Sequence, residues 1–296
     1  MTRYIGAHTI DNGGIDMAVR RAGGAGMTAM QCFTTIPKFY GDKASIKPER
    51  VERFHKALAE TKIEPRNIVV HAAYVLSVAT NDPAKWERAA GGLAKEMERS
   101  NALGVGAVCF HPGSAGDGDR MAAAARVAKA ITHALRSVDG KTKLLVENTA
   151  GAGQTVGRTA AEVAEILRHV PDALRERTGY GLDTCHLFAS GYDVRASKEA
   201  LTGVLDEFEH ATGERPGFFH LNDSEGGLGT NRDRHMLIGD GQIGADAFRW
   251  LVQDPRSEGI PLILETPQEN YDIAEDDPTP DPWDVRMVDL VRSFAK

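Results

Sequence analysis

Six short apolar runs in this chain end on a side chain able to bind a metal ion. Val69-Val70 leads to His71, Cys109-Phe110 to His111, Leu145-Val146 to Glu147, Gly181-Leu182 to Asp183, Phe218-Phe219 to His220, and Ile263-Leu264 to Glu265. His186 lies three residues beyond Asp183, and Asp233 and His235 follow the His220 run. Five imidazoles and four carboxylates are too many for one tetrahedral ion. Two or three ions would use them all if one or two carboxylates bridge. Imidazole with carboxylate, and no thiolate at these positions, suits zinc, manganese or iron better than calcium or magnesium. Metal pairs about 3.5–4 Å apart activate a hydroxide and clamp the attacking and leaving oxygens of an in-line displacement, which is typical phosphodiester chemistry. One at a time these residues say little. A lone His after a buried strand is usually a hydrogen-bonded rim residue, and a lone Glu can be a paired buried acid. The recurrence is informative, because buried charge is costly unless paired or bound to metal. His55, His133, His169 and His210 fall inside helical patterns and read as solvated or packed helix residues, whereas His8 joins the others at a strand end.

The elements that must position these residues alternate. Candidate strands are Tyr4–Ala7, Thr28–Phe33, Ile68–Val70, Ala107–Phe110, Leu144–Val146, Tyr180–Leu182, Phe218–Phe219 extended by Leu221, and Pro261–Leu264. They are short and apolar, as parallel strands covered on both faces should be. Between them lie helical patterns at Ile15–Ala22, Lys47–Thr61, Pro83–Leu103, Arg120–Ser137, Thr159–His169, Lys198–Thr212, Ala245–Gln253 and Asp284–Phe294. Asn81-Asp82-Pro83 and Gly118-Asp119 are helix-start signals, and Gly104 is a stop signal. Eight strand–helix units in 296 residues predict an α/β (β/α)8 TIM barrel, residues 1–296 as one domain. In such a barrel the carboxyl ends of all strands open on one face, so the six run-ending side chains are expected to meet there. The acidic, proline-containing stretch Glu275–Trp283 reads as a surface connection before the last helix.

Composition narrows the class. The hydrophobic share is 42% and the charged share 26%, as in ordinary globular proteins. No apolar run approaches the ~18–20 residues of a membrane span. Three well-separated cysteines, Cys32, Cys109 and Cys185, suit a reducing compartment, and the N-terminus has no signal-peptide layout, so a cytoplasmic location is expected. A net charge of −7 is not the footprint of a non-specific nucleic-acid binder. Bound divalent cations would reverse the sign of the local field.

The segments His71-Ala72-Ala73-Tyr74, Phe110-His111-Pro112-Gly113-Ser114, Val146-Glu147-Asn148-Thr149-Ala150-Gly151, Leu182-Asp183-Thr184-Cys185-His186, His220-Leu221-Asn222-Asp223, Asp233-Arg234-His235 and Ile260-Pro261-Leu262-Ile263-Leu264-Glu265-Thr266 resemble endonuclease IV. That is the trinuclear-zinc apurinic/apyrimidinic (AP) endonuclease family of base-excision repair. The resemblance is collinear from about Tyr4 to Glu265. It implies three Zn2+ ions, with Mn2+ or Fe2+ acceptable at some sites. His71, His111 and Glu147 would hold the first; Glu147, Asp183, His220 and Glu265 the second, with Glu147 bridging; His186, Asp233 and His235 the third. It further implies attack by a metal-shared hydroxide on the phosphorus 5′ to an abasic site, giving a 3′-hydroxyl and a 5′-deoxyribose phosphate. Glu147 and Glu265 are the catalytic carboxylates in this reading. Duplex DNA containing abasic sites is the expected partner, with no membrane, no organic cofactor and a monomeric chain.

DNA contacts are expected from Tyr74, a groove-entering aromatic in the family, and from Arg234, placed to meet a phosphate. Lys38, Phe39 and Tyr40 are further candidates, and here the sequence departs from the family. Phe33-Thr34-Thr35-Ile36-Pro37-Lys38-Phe39-Tyr40 stands where Phe-Thr-x-Asn-Pro-Arg-x-Trp is usual. Lys38 replaces the Arg that probes the abasic gap and cannot form its planar fork. Phe39 and Tyr40 could serve as stacking groups. Two rival readings are a metal-dependent sugar isomerase or epimerase on a xylose-isomerase-like barrel, and a catalytically silent DNA-binding descendant. Retention of all nine ligand-type residues weighs against the second, and the trio His186, Asp233 and His235 against the first.

Overall fold

A computed structural model describes residues 2–35, 45–116 and 118–296. Ile36, Lys38, Phe39 and Tyr40 therefore lie outside the described residues. Among the described residues ten strands occur in chain order: β1 Tyr4–Ala7, β2 Met30–Cys32, β3 Ile68–His71, β4 Ala107–Phe110, β5 Lys143–Glu147, β6 Thr178–Asp183, β7 Phe219–His220, β8 Asp223–Ser224, β9 His235–Met236 and β10 Pro261–Leu264. The helices are α1 Ile15–Gly24, α2 Pro48–Thr61, α3 Pro83–Leu103, α4 Arg120–Arg136, α5 Ala160–Arg168, α6 Thr184–Ser190, α7 Lys198–Thr212, α8 Ala245–Gln253 and α9 Pro282–Phe294. No helix among the described residues is long and apolar enough to cross a membrane.

Eight parallel strands form a nearly closed barrel in the order β1-β10-β7-β6-β5-β4-β3-β2. Between β1 and β2 the ring closes through a His8–Gln31 bridge and through the Thr28 and Ala29 amides, which donate to the Ile5 carbonyl at 2.9 and 3.2 Å. Gly6 permits this closure. A Cβ there would stand 1.9 Å from the Ala29 carbonyl oxygen, too close for any side chain.

The apolar strands hide a period of two. Ile68, Val70, Val108, Phe110, Leu144 and Val146 pack outward into the large core shared with the helices. Val69, Ala107, Cys109 and Leu145 form a separate cluster with Phe218 inside the barrel. His71 follows Val69 on the inner face, and Glu147 follows Leu145, because alternate residues share a face. The same alternation that fills the barrel with apolar side chains thus delivers ligand-type residues to its carboxyl end.

Most helices start on a side-chain cap, as at Asp82 for α3, Asp119 for α4, Thr159 for α5, Ser197 for α7 and Asp281 for α9. The last helix therefore starts at Pro282, two residues before the sequence-based expectation, because Asp281 accepts from the Trp283 and Asp284 amides. Thr159 and Lys47 are caps rather than helical residues. The second strand is shorter than expected, since Thr28 and Ala29 are occupied by the closure with β1. The short helix α6 and the antiparallel pair β8–β9 have no counterpart in the sequence-based reading.

Candidate metal centre

All nine ligand-type residues meet at the carboxyl end of the barrel. One ligand atom each from His71, His111 and Glu147 lies within a single small sphere, as do those of Glu147, Asp183, His220 and Glu265. Glu147 belongs to both groups and is fully buried. Its Oε2 stands 3.4 Å from His71 Nε2 and 3.2 Å from His111 Nε2, while Oε1 stands 2.9 Å from His220 Nδ1. His220 Nδ1 also faces Glu265 Oε2 at 3.2 Å and Asp183 Oδ2 at 3.8 Å. The third group differs in detail from the expected trio. Asp183, His186 and His235 form one set, and Asp233 joins Cys185 and His235 in another. Asp233 sits at the rim, 3.2 Å from His186 Nε2 and 3.0 Å from His235 Nε2.

Local chemistry explains each placement. Asp183 ends β6 and caps α6, its Oδ1 accepting from the His186 amide at 2.8 Å. The Asp-x-x-His spacing is thus a helix cap that leaves Oδ2 facing the cleft. The hairpin β8–β9 returns His235 to the mouth. Asn148 and Asn222 brace the carboxylates: Asn148 Oδ1 accepts from the Asp183 amide at 2.6 Å, and Asn222 Nδ2 donates to Asp183 Oδ2 at 2.6 Å and to Glu265 Oε2 at 3.1 Å.

Three imidazoles share one arrangement. His71 Nδ1 donates to the Ala72 carbonyl at 2.7 Å, His186 Nδ1 to the Asn148 carbonyl at 2.8 Å and His235 Nδ1 to the Glu265 carbonyl at 3.1 Å. A carbonyl can only accept, so Nδ1 carries the proton and Nε2 turns its lone pair into the cleft. His220 is reversed: Nε2 meets the Gln31 side-chain oxygen at 2.7 Å and Nδ1 faces the carboxylates. Outer partners of this kind orient ligating histidines in metal sites. Glu147 Oε2, His186 Nε2 and His235 Nε2 are buried and make no well-aligned hydrogen bond; each instead faces an opposite charge at 3.0–3.4 Å. Poorly aligned buried polar atoms are costly, and these three converge on the cleft. The set of imidazole nitrogens and carboxylate oxygens, with these misaligned atoms at its centre, fits bound cations.

The electrostatics agree. Burial pushes the Glu265 carboxyl up, but His220 outweighs it and holds the group at about 2. Burial likewise opposes ionisation of Glu147, and His220 and His111 hold it well below the carboxylate range. Burial depresses the imidazoles, yet Glu265 and Glu147 lift His220 to about 9, and Asp233 and Asp183 lift His235 to about 9. His186, also opposed by burial, is carried well above its ordinary value by Asp183 and Asp233. Desolvation of a buried charge costs several kcal/mol, so such a carboxylate cluster requires cations, either protons or metals. Cys109 and Cys185 also approach these groups, a proximity absent from the sequence-based reading. Burial pushes the Cys185 thiol up to about 12 and raises Cys109 well above its ordinary value, which makes them neutral donors beside the cluster.

The residues open into a cleft of about 260 Å³ lined by His71, Tyr74, His111, His186, Asp233, Arg234, His235 and Glu265. Tyr74 is 54% exposed and stands with its ring centroid 4.9 Å from that of His71 and 5.4 Å from that of Phe33. Arg234 is exposed at the rim, its guanidinium donating to the Asp233 carbonyl at 2.6 Å. His8, at the end of β1, stays outside the ligand groups and meets Gln31. A larger hollow, about 660 Å³, lies at the opposite end of the barrel beside Arg66, Lys141, Lys143 and Arg215, with no histidine or carboxylate among the described residues of its wall.

Comparison with known proteins first defines the class. Residues 19–287 match the family described as "Xylose isomerase-like TIM barrel". A D-tagatose 3-epimerase-like protein of known structure shares this fold at 15% identity, with a TM-score of 0.65 and coverage of 90% of this chain and 88% of that one. The particular family follows from closer relatives. A Chlorobium phaeobacteroides (strain BS1) protein named "Probable endonuclease 4" is 36% identical over 296 residues, 99% of this chain and 98% of its own. The crystal structure of endonuclease IV from Thermus thermophilus matches at 33% identity and a TM-score of 0.80, covering 99% of this chain and 98% of that one. The chain belongs to the endonuclease IV family.

Proposed function

We propose that this protein is a metal-dependent AP endonuclease of DNA repair, cutting the phosphodiester 5′ to an abasic site to leave a 3′-hydroxyl and a 5′-deoxyribose phosphate. The observation that carries this reading is Glu147, a fully buried carboxylate shared by two ligand groups, with Oε2 between His71 and His111 and Oε1 against His220. His71, His111 and Glu147 would hold one ion; Glu147, Asp183, His220 and Glu265 a second; His186, Asp233 and His235 a third, with Asp183 close by. Zinc suits this set, and manganese or iron(II) is compatible with it. Bound cations supply charge neutralisation at the phosphate and activation of a water.

The chain's own residues would do the positioning. The outer carbonyls turn Nε2 of His71, His186 and His235 toward the cleft. Tyr74, exposed beside His71, would enter the gap left by the missing base, and Arg234 would engage a phosphate. Lys38, Phe39 and Tyr40 would contribute lesion contacts from the segment after β2. The cations would reverse the negative field of a chain whose net charge is −7. Single-domain, monomeric action in the cytoplasm is part of the proposal. The epimerase likeness extends to the fold alone.

The test is incision of a duplex carrying one tetrahydrofuran abasic analogue. Metal-loaded protein should cut it once, 5′ to the lesion. Chelation should abolish cutting, and zinc or manganese should restore it. A loaded preparation that leaves the duplex intact, where the Thermus enzyme cuts it, would overturn the proposal.

A further inference from the structure

Gln31 lies at the middle of β2, fully buried, in a barrel strand that is otherwise apolar. Its register partner on β3 is Val69, a residue of the inner barrel cluster. A buried primary amide needs acceptors for its nitrogen and donors for its oxygen. Gln31 has both. Its Nε2 donates to Glu265 Oε1 at 2.5 Å and to His8 Nδ1 at 2.9 Å. Its Oε1 accepts from His220 Nε2 at 2.7 Å and faces the Cys109 thiol at 3.7 Å. Turning the amide over would set its oxygen against the Glu265 carboxylate, so this orientation alone satisfies all four neighbours.

Two consequences follow for the group Glu147, Asp183, His220 and Glu265. His220 carries a proton on Nε2, so Nδ1, which meets Glu147 Oε1 at 2.9 Å, is the nitrogen a cation would take by displacing the second proton. Glu265 must give Oε1 to Gln31, which leaves Oε2 facing His220 Nδ1 at 3.2 Å. His71, His186 and His235 are oriented by backbone carbonyls, which no side-chain substitution removes. His220 is oriented by a side chain. We propose that Gln31 is a positioning residue of the second ion site, fixing through one amide both the ligating nitrogen of His220 and the ligating oxygen of Glu265. His8 accepts the amide's remaining proton and so keeps Gln31 from rotating. This inference rests on the metal-dependent reading above.

The test reads metal rather than turnover. In zinc-loaded wild-type protein with 15N-labelled histidine, long-range 1H–15N spectra should show His220 protonated at Nε2 and metal-bound at Nδ1. Zinc bound through Nε2 overturns the proposal without any variant. Gln31→Met keeps the volume and removes every hydrogen bond. Gln31→Glu keeps an acceptor for His220 but sets a carboxylate against Glu265. Both should release one ion to a chelator roughly ten- to hundredfold faster than wild type, the range expected when an outer partner is lost, while the remaining ions leave at the wild-type rate. Circular dichroism checks that each variant is folded. Folded variants that keep every ion at the wild-type rate sink this proposal alone. Wild-type protein that takes up no ion sinks the metal-dependent reading and this one with it.

Discussion

Glu265 is a buried carboxylate that desolvation would neutralise and that His220 holds ionised at about 2. Its two oxygens are divided, Oε1 to Gln31 and Oε2 to Asn222 and the cleft. Glu265→Gln keeps the shape and removes the charge. Turnover on abasic duplex should fall by at least about a hundredfold, the scale of losing one transition-state electrostatic partner. Binding of the same duplex, followed by gel shift, should persist. Turnover at the wild-type level would remove Glu265 from the catalytic group. The imidazoles make a second prediction. His220 and His235 are raised from 6.5 to about 9 in the metal-free fold. Their contribution to stability is full below pH 6.5 and disappears as pH climbs through 9. Metal-free protein should therefore melt at progressively lower temperature between those limits, whereas the zinc-loaded form, whose imidazoles are already deprotonated, should not. The carboxylates act oppositely: the contribution of Glu265 is full above 4.5 and fades as pH falls toward 2. Melting scans on both forms across about pH 5–9.5 check the sign. A metal-free Tm that rises with pH would contradict it.

At the scale of the element, the third ligand group depends on the β8–β9 hairpin, two residues on each side. Its organiser is Asp223, fully buried beneath the loop that follows β9. The carboxylate accepts from the amides of Ser224, Gly239, Gly241, Ile243 and Gly244. Gly241 has to be glycine, since a Cβ there would fall 2.5 Å from Asp223 Oδ1. Asp223→Ala should cost about 3 kcal/mol, because several donors lose a charged acceptor at once. That is a fall in Tm of roughly 5 °C for a chain of this size, measurable by calorimetry. An unchanged Tm would show that the loop is held by something else. The hairpin also marks where sequence reading ends. The barrel strands, and the six ligand-type residues at their ends, were legible because each is an apolar run with an abrupt polar stop. The helices were legible from caps and periodicity, to within a few residues. Strands of two residues carry no period, and α6 is buried almost all round, so neither announces itself. Gln31, Asn148 and Asn222 went unread for a related reason. Gln31 is a single polar residue among apolar ones, Asn148 and Asn222 sit beside ligand-type residues, and only coordinates reveal which ligand each holds.

For the whole molecule, parallel strands polarise the barrel. Histidines and carboxylates gather at the carboxyl end, while Arg66, Lys141, Lys143 and Arg215 surround the hollow at the other. An acidic mouth repels phosphate until cations fill it, which is why the proposed chemistry depends on ion number and position. The most direct measurement is an anomalous-scattering map collected at the zinc edge from crystals of the loaded protein. It should place two ions on either side of the Glu147 carboxylate, one against His71 and His111 and the other against Asp183, His220 and Glu265, with a third against His186 and His235. Ions absent from Glu147, or a single ion in the cleft, would contradict it.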